Sequence, residues 1–141
     1  MGAKRRVLLV DDETSIIKVV GKRLEVAGYE VLTAMDGDEG LTKASLGNPD
    51  VIVLDLMMPK VNGFEVCAAL KKDPKYQHIP VIIFTGKGRA MDEQICRECG
   101  ANAYLTKPHK PEELIEQIEA LLANVLPESS PPPPQETPPA P

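Results

Sequence analysis

The chain has 141 residues, 43% of them apolar and 26% charged, which fits one globular domain with a sizeable core. Its formal net charge of -5 argues against a nucleic-acid partner, whose phosphates repel an acidic surface. No apolar run has the length of a membrane span, and the stretch after the basic Lys4, Arg5 and Arg6 stops at Val10 against two aspartates, unlike a signal peptide.

Along the chain, five short apolar runs have strand length: Arg6–Val10, Glu30–Ala34, Val51–Asp55, Val81–Thr85 and Ala103–Thr106. The first, third and fourth are continuously apolar, as expected of strands covered on both faces. Helical patterns alternate with them. Ile16, Val20, Leu24 and Ala27 form an early apolar face, and Leu114, Ile115, Ile118, Leu121, Leu122 and Val125 form a late one. Gly28, Gly47 and Gly100 each follow a helical stretch, where a left-handed terminating residue is wanted. Asp36 with Glu39 resembles a capping box, and Pro111-Glu112-Glu113 suits the first turn of the last helix. Five strand–helix repeats predict an α/β fold: a doubly wound, five-stranded parallel sheet with helices on both faces.

After Leu126 the composition changes. Pro127–Pro141 holds eight of the fourteen prolines and little that is apolar, so residues 1–126 are expected to fold and residues 127–141 to form a proline-rich tail or linker. Three cysteines without framework spacing fit a reducing cytoplasm. Cys96 and Cys99 form a C-x-x-C, read here as falling inside a helix with no redox or zinc role.

In a doubly wound sheet the carboxyl ends of the strands form the functional edge. Asp11 and Asp12 follow the first strand, Asp55 ends the third, Thr85 ends the fourth and Lys107 follows the fifth. Singly, each has an ordinary structural explanation, such as a helix cap for the Asp pair. Together on one edge they suggest a single crevice. Carboxylates gathered there repel one another unless a proton or a cation joins them, and an all-oxygen ligand set suits Mg2+.

These segments resemble the response-regulator receiver family. The resemblance rests on Val7–Glu13, on Val51–Pro59 running to Asn62-Gly63, on Val81–Thr85, and on Gly100–Pro108, and it covers about residues 4–126. It implies the strand order 2-1-3-4-5, for which a chemotaxis receiver is a known example. It also implies that Asp55 takes a phosphoryl group from a phosphohistidine, and that Asp12, Asp55 and the Met57 backbone carbonyl ligate Mg2+, with Asp11 acting mostly through water and Mn2+ as an alternative ion. By the same resemblance Lys107 pairs with the phosphoryl oxygens. Thr85 and Tyr104 move to change the surface of the fourth helix, fifth strand and fifth helix.

Such a protein is a phosphorylated switch, not a conventional enzyme. Its expected partner is a sensor histidine kinase or a histidine phosphotransfer protein, with no membrane and no direct nucleic acid. The downstream effector and any phosphorylation-linked homodimer are not legible. Gly86 stands where the family usually has Ala or Ser, and His109 stands where an apolar residue is common. A haloacid-dehalogenase-type phosphatase also places a nucleophilic Asp after a strand, but it needs a second Asp where this chain has Met57. A flavodoxin-type FMN site needs neutral donors where this chain has Asp11 and Asp12. The chain also reads as the receiver half of a longer regulator, cut within a proline-rich linker.

Overall fold

The computed structural model describes residues 4–56, 63–85, 94, 97–106 and 111–123. The strands are β1 (Arg6–Val10), β2 (Glu30–Ala34), β3 (Val51–Leu54), β4 (Val81–Thr85) and β5 (Ala103–Thr106). They form one parallel sheet in the order β2-β1-β3-β4-β5. The helices are α1 (Thr14–Val26), α2 (Gly37–Gly47), α3 (Gly63–Lys72) and α4 (Pro111–Ala123). The helix expected ahead of Gly100 falls largely outside the described residues, so α4 corresponds to the fifth helix of the sequence pattern.

Alternation along each strand sends successive side chains to opposite faces, and here both faces are dry. Leu8, Val10, Ile52, Leu54 and Ile83 face one core with Ala44 of α2 and Val66, Cys67 and Leu70 of α3. Val7, Leu9, Val51, Val53, Ile82 and Phe84 face the other, with Val20 and Leu24 of α1 and Leu114, Ile118 and Leu122 of α4. Every residue of β3 is essentially inaccessible. Full burial of such a side chain contributes roughly 1.5–3 kcal/mol, so the central strands are the most costly to alter.

The capping box forms by half. The Asp36 carboxylate accepts from the Glu39 amide at 2.8 Å, as expected of an N-cap. Glu39 reaches back one residue further than the standard box and accepts from the Met35 amide at 2.8 Å. Gly28 (φ 103°) and Gly100 (φ 94°) are left-handed as predicted. Gly47 is not: it is the last residue of α2, and Asn48 (φ 49°) takes the left-handed position. Gly47 instead lies close to β2, where a Cβ would stand 2.5 Å from the Leu32 Cδ1 methyl and that side chain would have to turn aside. The C-x-x-C expectation also shifts, because Cys99 lies in the turn after the helix and Cys96 lies outside the described residues. Among the described residues, no helix is long and apolar enough to cross a membrane.

Candidate functional site

The acidic cluster is assembled by backbone pairing that runs one residue past the strands. The Asp11 amide donates to the Ala34 carbonyl at 3.0 Å, and the Asp55 amide donates to the Val10 carbonyl at 3.0 Å. Asp55 therefore sits just beyond β3 rather than within it, still anchored to β1. Leu56 after it is buried and fixes the exit of the chain.

Asp11 and Asp55 are buried, at 1% and 5% exposure, whereas Asp12 is exposed. Oxygens from all three carboxylates lie within 4.8 Å of one another. Neither Asp11 nor Asp12 is the N-cap of α1. That position belongs to Glu13, which makes no side-chain capping bond. Instead Asp11 Oδ1 accepts from the Glu13 amide at 2.9 Å, which orients this buried carboxylate.

Buried charges need pairing, coordination or neutralisation. Two buried carboxylates and a third at the rim make a hard, all-oxygen donor set that fits Mg2+. The three aspartates picked out by the sequence are thus brought together. Thr85 closes β4 opposite Thr106 of β5. Tyr104 is half-buried in β5, packed against the core that α3 covers. Met57, Gly86, Lys107 and His109 lie outside the described residues.

Gly63 is a structural residue whose role is seen only in three dimensions. Its amide donates to the Leu56 carbonyl at 3.0 Å. A Cβ at position 63 would overlap the Asp55 carbonyl oxygen and come within 2.8 Å of Leu56 Cα. The first turn of α3 is therefore pressed onto the backbone of the acidic site.

A doubly wound parallel sheet with three carboxylates gathered at its carboxyl edge is the frame of the site, and direct comparison gives its class. The response regulator receiver domain model matches residues 7–119, so the chain belongs to that family. It is 44% identical over 119 residues to a probable transcriptional regulator, ycf27, of Cyanophora paradoxa, covering 84% of this chain and 48% of that protein. Its fold is similar to the chemotaxis protein CheY4 of Vibrio cholerae, with TM-score 0.80 and 38% identity over 84% of this chain and 99% of that one. It is also similar to the receiver domain of the sensor histidine kinase PA1611 of Pseudomonas aeruginosa, whose structure has a magnesium ion coordinated in the active-site cleft. There the TM-score is 0.79 and the identity 26%, over 86% of this chain and 99% of that one. The chain spans about half the length of the curated relatives it matches.

Proposed function

We propose that the chain accepts a phosphoryl group on Asp55 from the phosphohistidine of a sensor kinase or phosphotransfer protein. The supporting observation is the convergence of Asp11, Asp12 and Asp55 within 4.8 Å at the carboxyl edge of the sheet. An Asp55 carboxylate oxygen attacks phosphorus, the phosphorus–nitrogen bond breaks, and the imidazole leaves to give an aspartyl phosphate. Asp11, Asp12, Asp55 and the Met57 carbonyl would hold Mg2+. When bound, the ion neutralises charge on the transferring group. Lys107 pairs with the phosphoryl oxygens, while Thr85 and Tyr104 carry the change toward β5 and α4.

Residues 1–126 act as the receiver, with 127–141 as tail or linker. Because relatives named as transcriptional regulators are about twice as long, we also read the chain as the input half of such a regulator. The expected lack of nucleic-acid binding then concerns this acidic half, not a whole regulator.

Acetyl phosphate with Mg2+ tests the acceptor directly. Intact mass should show one added phosphoryl group, absent from Asp55→Asn and absent with EDTA. Undiminished labelling of that variant would overturn the assignment.

A further inference from the structure

Away from the acidic crevice, a second reactive cluster lies between α3 and the turn that leads into β5. Cys67 is completely buried on α3. Its sulfur lies 3.5 Å from the Cys99 carbonyl oxygen, 32 residues away in sequence, which brings the two cysteines side by side. The turn is held at a second point one helical turn further along α3. A Cβ at Gly100 would meet Lys71 Cγ at 3.0 Å, so backbone and helix are already in close approach. Lys71 is itself fixed, its ammonium donating to the Ile79 carbonyl at 2.8 Å and to the Gln77 carbonyl at 3.2 Å.

The two cysteines differ in the way a reactive pair requires. Cys99 is partly exposed and Cys67 is not. The hydrogen bond from Cys67, the Ala101 and Cys99 amides, and the Lys71 charge together hold the Cys99 thiol down to about 7. The thiolate is the nucleophilic form, and an accessible thiol beside a resolving partner is the usual arrangement of a redox sensor.

We propose that Cys67 and Cys99 form a reversible disulfide, made by a hydroperoxide that reacts first at Cys99. The Cys99 thiolate attacks the terminal peroxide oxygen. A sulfur–oxygen bond forms, the oxygen–oxygen bond breaks, and the departing oxygen takes the thiol proton to leave as an alcohol, or as water from hydrogen peroxide. Cys99 is then a sulfenic acid. The Cys67 sulfur, giving up its proton, attacks the Cys99 sulfur, and hydroxide leaves with that proton as water. In sum, two thiols and one hydroperoxide give one disulfide, one alcohol and one water. A dithiol reductant reverses the bond. The cross-link ties α3, which starts at the acidic crevice, to the segment that enters β5 and carries Tyr104.

The test uses the full chain, reduced and then exposed to equimolar hydrogen peroxide near neutral pH. Mass spectrometry is expected to show loss of two hydrogens and a Cys67–Cys99 cross-linked peptide, both reversed by dithiothreitol. Cys96→Ser should behave like the parent. In Cys67→Ala, whose substitution only shrinks a buried side chain, the cross-link should vanish and a sulfenic acid should be trapped at Cys99 by a cyclic dione. A Cys96–Cys99 bond, a disulfide between chains, or three alkylatable thiols after peroxide treatment would each overturn the proposal. None of these readouts depends on phosphorylation, so failure here leaves the Asp55 reading untouched.

Discussion

Gly63 presses against the main-chain carbonyl of Asp55, so closely that a β-carbon at position 63 would share space with that oxygen. The start of α3 and the acidic loop are thus one packed unit, held by the Gly63 amide on the Leu56 carbonyl.

Gly63→Ala should therefore force the loop and the helix apart. Overpacking of this kind destabilises by about 1–3 kcal/mol. Urea denaturation should show that loss, and labelling by acetyl phosphate should slow more than for a surface alanine of equal stability. An unchanged urea midpoint would mean that the helix start yields without strain.

Cation binding should appear as stability. A ligand at 100 times its dissociation constant adds about 2.7 kcal/mol to a fold that alone can bind it. Millimolar Mg2+ should raise the thermal midpoint of the parent, and EDTA should remove the gain. Asp55→Asn and Asp12→Asn should both lose most of this Mg2+-dependent shift. A full shift in either would remove that residue from the donor set.

The start of α2 should be acid-sensitive. The Met35 amide, followed by Lys43, holds the Glu39 carboxyl below its ordinary 4.5. A group with a depressed folded pKa contributes stability that is present above its unfolded pKa and lost as pH falls through the folded one. Amide exchange at Met35 should accordingly rise as pH falls below about 4.5, corrected for intrinsic exchange, and Glu39→Gln should remove part of that dependence. Independently, Asp36→Ala should cost about 1 kcal/mol at neutral pH through loss of the cap.

Switching should separate from chemistry. Thr85→Ala should still take up phosphate but lose the phosphorylation-dependent change in amide exchange across Asn102–Leu122. A fully retained response would detach Thr85 from the signal.

The acidic site was legible in the sequence because it lies at strand ends. Once β1 and β3 are recognised as neighbouring parallel strands, Asp11, Asp12 and Asp55 must emerge on the same edge. Packing across elements was not legible in the same way. Cys99 has a cysteine three residues before it, and nothing in one dimension points instead to Cys67, which α3 and the turn before β5 bring to its side. Gly47 illustrates the same limit. Its place after a helix suggested a left-handed turn, whereas Asn48 makes that turn and Gly47 lies close against the Leu32 side chain of β2. Glu39 slipped by one residue because side-chain reach, not spacing alone, selects between the amides of Asp36 and Met35.

The hydrogen bond from Asp55 to Val10 joins residues 45 positions apart, and it can close only after β1 and β3 have found each other. Closing a long chain segment costs conformational entropy before any contact repays it, and non-local parallel pairing of this kind is the slow part of folding. Helices formed early bring no carboxylates together. During refolding, the ability to bind a divalent ion should therefore arise with the central strands and not before, making ion binding a clock for the moment at which the interior of the sheet is joined.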